Sequence, residues 1–405
     1  MAGSCSQIVL LNQLKERGMT TILADNNVNA VAIPYADEFV KVDLLNIEAV
    51  KAVAMEKKVD MILSVCADQV LITAAKVSED LNLPCYIDYQ TACNVSDKGY
   101  MKDTFERFDI PTSKHIFIST LDADKISGME YPLVVKPADA YSSKGVRKAT
   151  NYAELEVFFR EAAQISRSGL VIVEEFNEGA ELTVDFQIVD GKAIFLTASN
   201  TEKVNYKDRF LAFRTRNPAA VSEATIERIK VIGQKIADAF CLKNSPMLIQ
   251  LITDDKKESV LEFCARTGGG AKYLLLKMAT GFDPITGVLD ITLGRKVHIG
   301  EIKSEAKYIT NEFLYSYPGV FDHLEGFEEL KQEGILAEYW QFKKKGAQIS
   351  NACTSSDRIC SITIKADSFE ELVNKHNIAA SRIKIISSSG EDMMRHDMLA
   401  DIKEL

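Results

Sequence analysis

Residues 259–270 read Ser259-Val260-Leu261-Glu262-Phe263-Cys264-Ala265-Arg266-Thr267-Gly268-Gly269-Gly270. A short apolar strand delivers Glu262, places Arg266 four residues later, and gives way to three glycines. A carboxylate at a strand end is a hard oxygen ligand suited to Mg²⁺, which binds through one or two carboxylates plus substrate phosphates. Arginine is always charged and suits a carboxylate or phosphoryl group. Three glycines let backbone approach a ligand with no Cβ in the way. Taken alone, the same stretch also reads as a surface loop with an ion pair, so its neighbours have to decide.

The next signal lies upstream. Tyr131–Pro137 is a tight apolar strand ending in Lys136, followed by the polar loop 138–145 with Ser142, Ser143, Lys144 and Gly145. A lysine there either snorkels to solvent or points at an anion, and a loop of small residues, hydroxyls and N–H groups suits polyphosphate. It is not the P-loop pattern, because the lysine precedes the loop. Residues 170–176 form a strand ending in Glu174-Glu175-Phe176-Asn177, where backbone and an acidic side chain can meet an adenine edge. Glu181 follows and could accept from ribose hydroxyls, although taken alone the stretch reads as a charged strand end with solvated carboxylates.

Strand and helix patterns alternate over 7–90, which predicts a parallel, doubly wound sheet. Its helices are 7–17, 47–57 and 67–81, and its strands 20–25 and 60–65. The first strand of such a sheet is missing: either it lies upstream of Met1 or the sheet lacks it. A helix is expected over 96–108, carrying Lys98 and Lys102 one turn apart, then one over 152–166. A hairpin follows, 181–189 with 192–198, around Asp190-Gly191. Beyond it come a long amphipathic helix over 222–240 and strands at 247–253 and 258–263. After residue 300 the pattern predicts strands at 310–315, 337–343 and 359–366, then a helix from 368.

Bulk properties set limits. With 405 residues, two or three domains are expected. The 46% apolar and 26% charged content is that of an ordinary globular protein. The net charge of -10 argues against a broad nucleic-acid surface but not against a local basic pocket. No apolar run is long enough for a membrane span, and no secretory signal is visible. The eight cysteines form no Cys-x-x-Cys pair and the five histidines do not cluster with them, so reduced thiols in a cytoplasmic protein are expected.

The ordered set Lys98, Lys136 with its loop, Glu174-Glu175-Phe176, Glu181, Gln250, Glu262 and Arg266 resembles the ATP-grasp superfamily. The likeness is to carboxylate–amine ligases akin to biotin carboxylase and carbamoyl phosphate synthetase, and it covers nearly the whole chain. It implies an α/β protein with an N-terminal parallel, doubly wound (Rossmann-like) domain over 1–93. Two-lobed α+β ATP-grasp nucleotide-binding lobes would follow over 94–300, and the C-terminal part of the catalytic domain over 301–405. Position by position it implies Lys98 and Lys136 on ATP phosphates, with Ser142, Ser143 and Gly145 in the flap above them. Glu174 would accept the adenine amine, Glu175, Phe176 and Asn177 form the purine-reading hinge, and Glu181 accept from ribose. Glu262 would bridge Mg²⁺, and Arg266, with Lys136, would serve catalysis at the acyl phosphate.

Two positions depart from the pattern. Gln250 stands where a metal carboxylate is expected, and Cys264 where a third ligand, usually Asn, is found. A thiol is too soft for Mg²⁺, so one Mg²⁺ or a preference for Mn²⁺ is implied. The expected chemistry is ATP-dependent amide formation from a small carboxylate and an amine, with homodimerisation common in such proteins and no nucleic-acid or membrane partner. The alternative is a catalytically weak nucleotide-binding protein acting as a sensor or partner subunit. A nicotinamide-dependent reductase rests only on Asp25 and the N-terminal sheet, without a Gly-x-Gly-x-x-Gly. The basic run around Arg209, Arg214 and Arg216 reads as a loop, either substrate-facing or merely solvated.

Overall fold

The structure, a computed structural model, describes residues 1–405 apart from 69, 141–143, 207–208, 351–356, 400–401 and 403–405. Among the described residues a four-stranded, an eight-stranded and a three-stranded sheet accompany a small N-terminal unit.

The N-terminal unit departs from expectation. Only Ile22–Asp25 and Glu38–Lys41 pair, in parallel, with Ile22 opposite Glu38, and helices Cys5–Glu16, Ile47–Glu56 and Leu71–Asp80 accompany them. A doubly wound sheet is therefore reduced, among the described residues, to two strands. Residues 60–65 are apolar because they are buried, not because they pair: Ile62, Leu63 and Val65 lie in the core. The stretch beside them consists of Met1 and Ala2, whose N–H groups reach Leu63 and Ala24 carbonyls once each. Two isolated bonds make no ladder.

The expected helix over 96–108 is Lys98–Arg107, and a separate helix, Tyr89–Ser96, precedes it with a break at Asp97. Asp97 causes the break: in extended conformation, its carboxylate accepts from the Tyr100 N–H at 3.0 Å and caps the second helix. Lys98 thus opens a helix.

The first lobe is a four-stranded antiparallel sheet in the order His115–Ile118, Val171–Glu175, Leu133–Pro137, Arg147–Ala149. Helix Tyr152–Ile165 sets Leu155, Phe159 and Ala162 against Leu133, Val135, Val171 and Val173. The alternation of a half-covered strand leaves Val134 and Lys136 on the opposite face.

The second lobe is an eight-stranded antiparallel sheet. Its order is Glu258–Cys264, Ser245–Thr253, Ala180–Val189, Lys192–Tyr206, Arg209–Asn217, Tyr308–Leu314, Cys360–Ala366, Glu338–Gln341. Helix Glu223–Ala239 covers one face, packing Ile229, Ile232 and Ile236 on Leu182, Val184 and Phe186. Each such buried side chain contributes about 1.5–3 kcal/mol. Gly233 is required there: a Cβ would lie 2.4 Å from the Phe186 ring.

The run 209–217 is a strand of this sheet, not a loop. Arg214 is fully buried, pairing with Glu312 at 3.2 Å and Glu202 at 2.9 Å, and Arg216 lies 3.3 Å from Glu202. These arginines are internal counter-ions. Strands from beyond residue 300 complete the same sheet, and a three-stranded sheet (Gln348–Ile349, Gly319–Glu325, Lys384–Ser387) follows. Among the described residues no helix is long and apolar enough to cross a membrane.

Candidate functional site

The lysine that leaves the core face of Leu133–Pro137 meets a carboxylate from the next strand. Val134 lies opposite Glu174 in the ladder, so Lys136 is its diagonal neighbour on the same face. Lys136 Nζ donates to Glu174 Oε1 at 2.5 Å. From the helix above, Lys102 Nζ lies 3.3 Å from Oε2. Glu174 is 3% exposed and Lys102 2%. Burial opposes ionisation of Glu174, but Lys136 and Lys102 outweigh it and hold its pKa at about 2. Glu174, expected to accept the adenine amine, is placed as a buried counter-ion to two lysines.

On the second lobe, Thr183, Gln250 and Glu262 stand in register on three adjacent strands, so their side chains share one face. Glu262 is 43% exposed and lies 3.4 Å from Lys98 Nζ, which also donates to the Ala140 carbonyl at 3.1 Å. Lys98, aided by Lys136, holds the Glu262 carboxyl below the ordinary range against the cost of desolvation. Helix, first lobe and second lobe therefore bring Lys98, Lys136 and Glu262 to one place.

The hinge is more occupied than expected. The N–H of Glu175 bonds the Lys114 carbonyl and that of Phe176 the Pro132 carbonyl, each at 2.9 Å. The Glu175 carboxylate accepts from the Glu130 N–H at 3.0 Å. Lys148 Nζ sits 3.6 Å over the Phe176 ring. The Asn177 side chain donates to Ser113 Oγ at 2.5 Å and Ser259 Oγ at 2.9 Å, tying the hinge to the Glu262 strand. Gly179, at φ +136°, passes so close to the second lobe that a Cβ would lie 2.3 Å from the Thr253 carbonyl oxygen.

Other expected residues have protein partners. Glu181 pairs with Lys203. Arg266 donates through Nε and Nη2 to both oxygens of Asp68 and through Nη1 to the Thr267 carbonyl at 2.6 Å. Gly145 adopts φ +76° beside Pro137 and Ile165, a turn that no Cβ would fit. Ser142 and Ser143 lie outside the described residues. Asp68, Lys102 and Lys203 are the site residues that the sequence did not single out; only Lys102 carried a signal, its place one turn after Lys98. Beneath the glycines, buried Lys272 and Asp185 face each other at 3.4 Å. Neither Lys272 Nζ nor Asp185 Oδ2 has a hydrogen-bond partner among the described residues.

The donor set fits one hard cation. Glu262 supplies charge and Gln250 a neutral carbonyl oxygen from the facing strand. The Cys264 thiol is directed toward the Leu248 carbonyl at 3.8 Å, and burial pushes its pKa up to about 12, so no thiolate is available. Among the described residues no three His, Cys, Asp or Glu side chains gather as a metal cluster. A single Mg²⁺, held largely by phosphate oxygens, suits this arrangement.

The family model for the D-ala D-ala ligase C-terminus matches residues 105–245. The carbamoyl-phosphate synthase of Methanobrevibacter smithii is 24% identical over 191 residues, 45% of this chain and 50% of that protein. The chain spans half or less of the length of the first curated relatives it matches. Among solved structures, the L-amino acid ligase of Bacillus licheniformis superposes with a TM-score of 0.78 at 22% identity, covering 94% of this chain and 95% of that one. The biotin carboxylase domain of the Hydrogenobacter thermophilus 2-oxoglutarate carboxylase, a dimer in complex with MgADP, ADP and bicarbonate, gives 0.77 at 17% identity. It covers 96% of this chain and 90% of that one. The fold is that of these proteins, the ATP-grasp fold, and residues 105–245 match the ligase family model.

Proposed function

We propose that the protein is an ATP-dependent ligase that joins a small carboxylate to an amine, releasing ADP and phosphate. The observation that carries this reading is the convergence of Lys98, Lys136 and Glu262 from three elements on one place. A substrate carboxylate oxygen attacks the γ-phosphorus of ATP, the bond to the β-bridging oxygen breaks, and ADP leaves an acyl phosphate behind. The amine nitrogen then attacks the acyl carbon, phosphate departs, and the nitrogen loses a proton. Such chemistry rests on positioning and charge neutralisation rather than on a protein nucleophile.

In this reading Lys136 and Lys98 hold the phosphates, and Arg266 holds the acid or its acyl phosphate. Glu262, with Gln250, would hold Mg²⁺, which supplies charge neutralisation at the transferring phosphoryl group when bound. Arg266 is engaged by Asp68 on the edge a substrate carboxylate would use, so the acid has to displace or share it.

A second reading, a nucleotide-binding protein with little ligase activity, is favoured by one observation: Glu262 is the one carboxylate of the expected metal set, facing neutral Gln250. The test for both is ADP release over a panel of acids and amines, with Mg²⁺ and with Mn²⁺. Acid- and amine-dependent ADP release supports the ligase. ATP binding without turnover by any pair supports the second reading, and absence of ATP binding removes both.

A further inference from the structure

Glu174 divides its two oxygens between two lysines, and the two are not alike. Lys136 reaches Oε1 at 2.5 Å with 14% of its side chain exposed. Lys102 reaches Oε2 at 3.3 Å with 3% exposed, and its ammonium also donates to Thr112 Oγ1 at 2.6 Å. The Thr112 hydroxyl in turn donates to the Val260 carbonyl at 2.8 Å, on the strand that carries Glu262. Lys102 is sealed and braced, while Lys136 stands at the edge. Two ammonium groups around one carboxylate leave a unit of positive charge in a water-poor place, suited to an arriving anion.

We propose that Lys102 is a positioning residue for nucleotide binding: it keeps Glu174 neutralised while Lys136 exchanges that carboxylate for a phosphate of the nucleotide. This rests on the reading that nucleotide phosphates bind at Lys136. Without Lys102, a Lys136 that turned to phosphate would leave a buried carboxylate with no counter-charge, so it stays with Glu174. The lysine one turn after Lys98 then acts without touching the ligand.

The test is calorimetric titration of ADP with Mg²⁺ into the wild-type protein, Lys102→Met, Glu174→Gln and the double variant. Lys102→Met is expected to weaken ADP at least fivefold. In the Glu174→Gln background the same change is expected to alter affinity less than threefold, because the carboxylate it served is gone. A purely structural Lys102 would weaken binding in both backgrounds. If Lys102→Met does not fold, Glu174→Gln against the double variant decides by the same threefold limit. A smaller effect in the wild-type background, or a larger one beside Glu174→Gln, overturns the proposal while nucleotide binding stands. A folded wild-type protein that binds neither ADP nor ATP overturns the proposed function and this inference together.

Discussion

Arg266 donates from Nε and Nη2 to the two carboxylate oxygens of Asp68, 198 residues earlier in the chain. The pair links the N-terminal unit to the strand end carrying Glu262. Asp68 outweighs the cost of burying the guanidinium and keeps it firmly charged. Asp68→Ala would leave a charge that is only 14% exposed without its partner. Asp68 is itself one-third exposed, so the loss falls below that of a fully buried pair, at about 2 kcal/mol. Urea unfolding would show it, with ADP affinity within twofold of wild type because Lys98 and Lys136 are untouched. A tenfold loss of ADP affinity would contradict the placement of this pair outside the nucleotide subsite.

Lys136 is the exposed member of the Glu174 triad, and its removal acts on the nucleotide. Lys136→Ala is expected to weaken ADP tenfold or more, about 1.4 kcal/mol, while Lys102 continues to neutralise Glu174. Glu262→Gln is expected to leave metal-free ADP binding in place and abolish the gain on adding Mg²⁺. A thermal melt checks both: at 100 times Kd a ligand stabilises by about 2.7 kcal/mol. EDTA should reduce the ADP-induced shift in the wild-type protein and leave that of Glu262→Gln unchanged.

How much of this was legible in the sequence follows the range of each interaction. Lys136 stood out because a strand alternates, and one charge at the end of an apolar strand has to face a ligand or solvent. Glu262 and Gln250 could be placed on neighbouring strands because a short acidic and basic turn joins them. Their partners could not be read: Lys98 with Glu262, Lys203 with Glu181 and Asp68 with Arg266 meet only through the tertiary fold. Strand Arg209–Asn217 was misread for the same reason. Its arginines look solvated until Glu202 and Glu312 arrive from two other strands. Residues 60–65 failed in the opposite direction, since apolar side chains report burial and carry no information about a backbone partner.

The acid limb of stability should carry the mark of Glu174. Its folded pKa of about 2 lies below the ordinary glutamate value of 4.5. A depressed carboxylate contributes stability that is present above the unfolded value and is lost as pH falls through the folded one. The window is therefore pH 4.5 down to about 2. Glu174→Gln should flatten the pH dependence of the unfolding free energy between pH 5 and 3 relative to wild type. Parallel curves for the two proteins would show that the triad does not hold Glu174 ionised.

The interior of the large sheet offers the contrasting case of charge used for structure. Arg214 and Glu312 are both fully buried and 3.2 Å apart, and His376 Nδ1 lies 3.0 Å from the same Glu312 oxygen, Oε1. Burial opposes the Glu312 charge, and Arg214 with His376 more than offsets it, so the carboxyl sits below its ordinary range. Glu312→Gln keeps the shape but removes the counter-charge, and a pair broken on one side costs about 3–5 kcal/mol. The Arg214→Met, Glu312→Leu double variant removes both charges and should recover most of that loss. Denaturant titration of the single and double variants checks the sign. Because this network backs the sheet rather than the Lys136 site, ADP affinity of the folded double variant is expected within threefold of wild type. A loss confined to ADP binding, with stability unchanged, would instead place Arg214 in the ligand site.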